Sequence, residues 1–226
     1  MKKIESVAPG LNTLTFISMS KSVSRGMTTA GAIVAGPSKE SIALLEKIRE
    51  VATYLDTLAK KDQLYFLASN HVGVEDRCND AYKIAVAAGN ALQRAVKEFC
   101  NGYNMPLAFV SPANAKLGFT SSTFSFNLPP FKNAKPGVNE ALAQRFVDLL
   151  TPHAEFKPCV SFGQDNRLVY ATVPATSTQG AIKAEDKAKQ AVGGVQLVRL
   201  SFPPTIDINK VCQILRDAVK TCYAKK

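Results

Sequence analysis

Two stretches decide the fold: TFSFNLPP at residues 123–130 and VQLVRLSFPP at residues 195–204. The first alternates Phe with small polar residues, the second is rich in Val and Leu, and both patterns are typical of β-strands. Each ends at a Pro-Pro pair, which cannot donate hydrogen bonds to a neighbouring strand. Apolar residues at helical spacing follow both, from Val138 and from Ile206. A strand, a stop and a helix therefore occur twice in the same order.

The segment between these stretches supplies the remaining elements. Residues 156–162 (FKPCVSF) and 167–173 (RLVYATV) have strand composition and flank GQDN at 163–166, whose residues tolerate tight turns, so we expect an antiparallel hairpin. A polar helix over 182–191 is predicted to end at a Gly-Gly pair. This order predicts an α+β fold with a ferredoxin-like split βαβ arrangement in the C-terminal half and an additional C-terminal helix.

The N-terminal half is also predicted to be α+β. Strands are expected at 11–19 and 28–35, and the apolar run at 64–68 predicts a strand or a buried turn. Gly36-Pro37 then introduces a helix with Ser38 as its N-cap, or alternatively Ser41. The sequence thus favours a second sheet with helices packed against it.

A long helix over 75–100 closes this half. It contains Gly89, where we expect another backbone to pack close to Gly89 and Ala85, and not a bend of the helix. The Gly, Pro and Ser content of 111–122 favours a boundary there. We therefore expect an N-terminal half at 1–115 packed against a C-terminal half at 116–226, or one continuous domain.

Composition limits the classes of function. The chain has 226 residues, 28 Lys and Arg against 18 Asp and Glu, and a formal net charge of +10. Lysine outnumbers arginine, which favours diffuse contact with a phosphate backbone over bidentate recognition. A basic surface that serves solubility or an acidic protein partner is the alternative.

No cofactor, metal or disulfide is predicted. The cysteines are odd in number, scattered and never in a C-x-x-C pair, which favours reduced packing residues. His71 and His153 lack neighbours at metal-ligand spacing. No apolar run is long enough to span a bilayer and no secretory signal is recognised, so we expect no membrane association and a cytoplasmic location, or one within a viral particle.

Catalytic signatures are weak. Glu75, Asp76 and Asp80 cluster near a helix start, where the helix dipole stabilises acidic side chains without any catalytic role. Ser22 and Ser24 have no histidine partner assignable from the sequence. The sequence therefore favours a non-enzymatic protein.

One loop has phosphate-binding chemistry. KSVSRGM at residues 21–27 offers backbone N–H groups with Lys21 or Arg25, but it lacks the spacing of a P-loop. A solvated hairpin loop is the alternative interpretation. The nucleic-acid contacts expected from the basic charge are Lys21, Arg25, Lys132, Lys135, Lys183, Lys187 and Lys189.

Three aromatic residues raise a second nucleic-acid hypothesis. Phe124 and Phe126 on one strand, with Tyr170 on another, would suit the stacking of single-stranded bases. Core packing explains the two Phe residues better, because alternation places them on one face. Together these features predict a nucleic-acid-binding protein of low sequence specificity. The alternative is a structural subunit of a viral particle or another homo-oligomeric complex.

Overall fold

The computed structural model describes residues 6–8, 10–107, 121–159, 167–174 and 184–224. Its contacts divide the chain into two compact units, Met1–Val74 and Glu75–Lys226. The boundary predicted near residue 115 lies outside the described residues, so the division into halves at that point stays a prediction.

The first unit contains a β-hairpin and two helices. Strands β1 (Leu14–Ser18) and β2 (Gly31–Ala35) pair antiparallel, with Phe16 opposite Ile33. Helix α1 (Lys39–Tyr54) packs against β2, and helix α2 (Lys61–Asn70) follows it. Both strands and the first helix were predicted, whereas the expectation of a strand or turn at 64–68 is wrong, because those residues lie inside α2.

Local hydrogen bonds explain where these helices begin. The Ser38 hydroxyl accepts a hydrogen bond from the Ser41 backbone N–H at 3.1 Å, which confirms the predicted N-cap of α1. At the start of α2 the Lys60 backbone N–H donates to the Gln63 side chain at 2.8 Å. That bond satisfies one donor that the first helical turn leaves free, and it favours a helix over an extended strand.

The long helix α3 (Val74–Phe99) belongs to the second unit except for its first residue, and it runs through Gly89. A Cβ atom at Gly89 would lie 3.0 Å from Leu107 Cδ1 and 3.6 Å from Phe124 Cε1. Close packing at this glycine is confirmed, but the neighbouring atoms belong to side chains and not to the predicted backbone. The contact with Phe124 brings α3 against the first strand of the sheet that follows.

The remaining elements of the second unit are β3 (Thr123–Asn127), α4 (Val138–Leu150), β4 (Phe156–Pro158), β5 (Val169–Thr172), α5 (Ala184–Gln190), β6 (Leu197–Ser201) and α6 (Ile208–Tyr223). The strands form one sheet in the order β3-β6-β5-β4. β6 pairs antiparallel with β3 and with β5, and β4 pairs parallel with β5. The protein is therefore a mixed α+β protein, as predicted at that level.

The expected hairpin is wrong, because β4 and β5 run in the same direction. Pro158 has no N–H group to donate, and β4 is a three-residue strand at the edge of the sheet. Without an antiparallel β4–β5 pair, the predicted ferredoxin-like arrangement is not confirmed. The turn predicted at 163–166 lies outside the described residues.

One face of the sheet holds the core. Phe124 and Phe126 are buried opposite Leu200 and Val198 of β6, and α3, α4 and α6 contribute to the same apolar cluster. The Pro-Pro segment after β3 is also anchored, because the Tyr223 hydroxyl donates to the Pro129 carbonyl oxygen at 2.7 Å. Within the described residues, no helix is both long and apolar enough to cross a lipid bilayer.

Candidate functional site

A loop in the first unit, Met19–Ala30, is held by two serine hydroxyl groups. We call it the serine loop. The Ser24 hydroxyl is buried and lies 2.8 Å from the Ser20 carbonyl oxygen and 2.9 Å from the Thr28 carbonyl oxygen. The Ser20 hydroxyl donates to the Ala30 carbonyl oxygen at 3.1 Å and accepts from the Ala30 N–H at 2.9 Å. Since these bonds cross the loop, they fix its backbone between β1 and β2.

Lys21 projects from this fixed backbone. Its carbonyl oxygen accepts a hydrogen bond from the Arg25 N–H at 3.1 Å, and Arg25 has a left-handed backbone with φ of 61°. The Lys21 side chain is half-buried, and no hydrogen bond or ion pair of its amine is found within the described part of the chain. A lysine amine on a rigid loop without a carboxylate partner is available to react or to bind an anion.

The second unit presents a polar sheet face, opposite the face that holds Phe124 and Phe126. Arg199 lies on this face, with Ser125 of β3 opposite it on one side and Thr172 of β5 on the other. Nearby, the Thr123 hydroxyl donates to the Ser201 hydroxyl at 3.0 Å. We name these five residues the polar face.

Arg199 is the charged member of the polar face. Burial lowers the pKa of its guanidinium below the ordinary value. Arginine stays protonated in proteins, so the lowered pKa reports a cation that has lost part of its hydration. Such a group favours an anionic ligand, and a planar guanidinium matches the two oxygens of a carboxylate. Sequence reasoning missed Arg199. The sequence feature that could have identified it is a single arginine within the mostly apolar strand LVRLS.

The lysines predicted to bind nucleic acid lie on several elements. Lys132 and Lys135 are exposed in the loop between β3 and α4. Lys189 on α5 forms an exposed ion pair with Asp186, its Nζ lying 3.3 Å from Oδ1. Lys183 and the side chain of Lys187 are outside the described residues. Lys21 and Arg25 share the serine loop of the first unit.

The three aromatic residues do not share a face. Phe124 and Phe126 are buried in the core, with their ring centroids 5.9 Å apart. Tyr170 lies opposite Ser201 of β6, whereas Phe124 lies opposite Leu200, the residue just before Ser201. Because successive residues of a strand point to opposite faces, Tyr170 points away from the Phe pair. These rings cannot form one stacking platform.

The other reactive side chains that the structure describes do not form a further site. Among the described residues, no group of three or more His, Cys, Asp or Glu side chains is placed to hold a metal ion. Burial raises the pKa of the Cys100 and Cys222 thiols to about 11. Thiols with so high a pKa carry little thiolate at neutral pH and are poor nucleophiles.

The fold resembles that of known enzymes. No family model matches the chain and no curated protein matches its sequence. Among solved structures, cystathionine gamma synthase from Xanthomonas oryzae pv. oryzae, in complex with cystathionine, matches 95% of this chain at 19% identity with a TM-score of 0.63. Cystathionine gamma-lyase from Lactobacillus plantarum, complexed with L-serine, matches 95% at 18% identity with a TM-score of 0.66.

A third match is a cystathione gamma lyase from Micromonospora echinospora, which covers 94% of this chain at 17% identity with a TM-score of 0.66. The chain spans about half of each of these structures, 51% in all three. At these identities the likeness establishes a shared fold.

This likeness corrects the functional prediction. The chain was expected to be a non-enzymatic nucleic-acid-binding protein, or else a structural subunit of a viral particle. Both expectations are wrong, because the structures that share its fold over nearly its whole length are synthases and lyases. Net charge misled the prediction because it reports solubility and association, not fold. Homo-oligomer formation is untested and stays a prediction.

Proposed function

We propose that this chain is part of an enzyme that binds pyridoxal phosphate and acts on an amino acid, with Lys21 as the residue that holds the cofactor. The fold family of the matched enzymes implies this cofactor. The observation that carries the proposal is the half-buried Lys21 side chain on a backbone fixed by the Ser20 and Ser24 hydroxyls.

The chemical groups of the serine loop fit this cofactor. Pyridoxal phosphate carries an aldehyde and a phosphate, and a lysine amine is the side chain that bonds covalently to carbonyl compounds. Lys21 supplies that amine, and Arg25 adds a second positive charge to the same loop, which suits a phosphate. When bound, the cofactor acts as an electron sink for the substrate's carbon atom. The buried Ser24 hydroxyl holds the loop and is not itself a cofactor ligand in this proposal.

Arg199 suits the substrate's carboxylate. The matched enzymes were solved with cystathionine, with aminoacrylate and cysteine, and with L-serine. All of these molecules carry a carboxylate. Within the second unit, Arg199 combines a partly desolvated guanidinium with neighbouring hydroxyl groups on Ser125 and Thr172. We therefore assign it the binding and orientation of the amino-acid substrate by its carboxylate.

Reductive labelling tests the role of Lys21. The purified chain is incubated with pyridoxal phosphate, treated with borohydride, digested and mapped by mass spectrometry. We expect most of the label on Lys21 and little on the exposed Lys132 and Lys135, which serve as internal controls. Lys21→Arg keeps the charge and should abolish the selective label. Label spread over lysines according to their exposure, or no label at all, overturns the assignment.

A conservative substitution tests Arg199. Arg199→Lys keeps the positive charge but loses the bidentate geometry, so the affinity for L-serine or cystathionine should fall about tenfold. Arg216→Lys is the matched control, because Arg216 is only partly buried and pairs with Glu98. Labelling of Lys21 should stay unchanged in both variants. Equal affinities of the Arg199 and Arg216 variants would contradict the assignment of Arg199 to the substrate's carboxylate.

A further inference from the structure

The β-hairpin of the first unit exposes apolar side chains on both of its faces. Phe16 is 71% exposed on one face, and Ile17 at 47% and Val34 at 42% are exposed on the other. The register places Thr15 opposite Val34 and Ile17 opposite Ala32, so Ile17 and Val34 are diagonal neighbours on the same face. We call Phe16, Ile17 and Val34 the hairpin surface.

Strands that are apolar on both faces belong to sheets covered on both sides. An antiparallel sheet with one wet face alternates apolar and polar residues, whereas the strands of a sheet between two layers read as continuous apolar runs. GAIVA in β2 is such a run, and TFI in β1 continues it. Helix α1 is the element of the first unit that packs against β2.

The two strands also leave their outer edges open. The sheet of the first unit has two strands among the described residues, so each has one edge without a paired strand. A two-stranded hairpin is marginally stable in water on its own, and an open edge is a template for another strand. The unpaired strand edges and the exposed apolar side chains of the hairpin therefore both favour a partner that contains a β-strand.

We propose that the hairpin surface is the interface for an α/β polypeptide that extends this sheet by at least one strand and covers both faces. The length of the matched structures argues for this occupant, because this chain spans about half of each. The other half of each of those chains lies outside the match. A strand-bearing partner satisfies the open edges as well as the apolar faces, which an apolar helix or a lipid surface does not.

Hydrogen exchange with a defined probe tests this inference. The probe is the part of the Xanthomonas oryzae cystathionine gamma synthase that this chain does not cover, co-expressed with the full chain. We expect the two polypeptides to co-purify in equal amounts. Backbone amides of β1 and β2 should exchange at least tenfold more slowly in the complex than in the chain alone, because they gain pairing and cover.

Matched substitutions locate the contact. Val34→Asp places a charge on the hairpin surface and should weaken the association at least tenfold. Val138→Asp is the control, because Val138 in the second unit is also 42% exposed, and it should leave the association unchanged. Equal effects of the two variants would contradict the inference.

Further results would contradict the inference. Absence of co-purification, or hairpin amides already protected in the monomeric chain, overturns the inference. If the chain alone forms a concentration-dependent dimer whose hairpin amides are protected, a second copy covers the surface and the proposed partner is wrong. None of these measurements depends on pyridoxal phosphate, so failure of the proposed function would leave them interpretable.

Discussion

The two units of this chain differ in where they place their apolar side chains. In the second unit, Phe124, Phe126, Phe146 and Leu200 are buried in one cluster shared by the sheet and three helices. In the first unit, the buried residues among those described are Ser24, Gly36 and Ser41. The second unit therefore has a core of its own, whereas the first is organised by hydrogen bonds and leaves many of its large apolar side chains exposed.

This difference shows which unit is stabilised by an apolar core of its own. Burial of apolar area is the main favourable term in folding, and it is concentrated in the second unit. The first unit holds the serine loop with Lys21 in place by backbone and hydroxyl contacts. The proposed cofactor residue thus sits in the part of the chain that has the smaller core.

The largest effect is expected on the free energy of unfolding, from two Phe substitutions that compare the units. Phe146→Ala should lower the free energy of unfolding by about 3–5 kcal/mol, because Phe146 is buried against Phe126 with ring centroids 5.8 Å apart. Phe16→Ala should change it by less than about 0.5 kcal/mol, because Phe16 is exposed. Urea unfolding followed by circular dichroism measures both. Similar losses would mean that the first unit has a core as well.

Two glycines of the second unit compare a closely packed position with an open one. Gly193 has φ of 57°, and a Cβ there would lie 2.7 Å from Pro130 Cγ, an atom of a rigid ring. Gly193→Ala should therefore cost about 2–3 kcal/mol from strain and overpacking. Gly102→Ala is the control. Gly102 also has positive φ but nothing within 4 Å, so about 1 kcal/mol is expected. Thermal unfolding compares them, and equal shifts would contradict the packing argument.

A hydroxyl deletion addresses the first unit. Ser24→Ala removes the hydroxyl that lies within hydrogen-bond distance of the carbonyl oxygens of Ser20 and Thr28, at an expected cost of about 1–2 kcal/mol in local stability. Hydrogen exchange should accelerate for residues 19–30 and stay unchanged in β3 and β6. Faster exchange in β3 and β6 as well would show that the units unfold together, and the contrast between them would fail.

The sequence predicted local features well and long-range pairing poorly. Alternation placed Phe124 and Phe126 on one face, and the Ser38 cap was identified by residue type alone. The direction of β4 relative to β5 depends on how the chain crosses the sheet, which no local pattern encodes. Lys21 was singled out for phosphate chemistry from its loop, but within a nucleic-acid hypothesis that the fold comparison overturns. Arg199 was missed because the significance of a charge inside a strand emerges only when its neighbours are known.

The smallest expected effect concerns an ion pair of the second unit. Glu155 pairs with Lys210, and the hydrogen bond to Lys210 lowers the pKa of the Glu155 carboxyl below its usual range. A carboxyl whose folded-state pKa is lowered stabilises the fold above its unfolded pKa, about 4.3, and this contribution is lost as the pH falls through the folded value.

Glu155→Gln should therefore reduce stability slightly at pH 7 and leave it unchanged at pH values below the folded pKa of Glu155. Added salt should shrink the difference at pH 7, because the pair is partly exposed and its attraction is screened. Asp186→Asn, which removes the exposed partner of Lys189, is the control and should change less at every pH. Urea midpoints measured across pH compare the variants. A Glu155→Gln effect that persists at the lowest pH would mean that Glu155 contributes through packing and not through its charge, since both side chains are uncharged there and differ only in shape and hydrogen bonding.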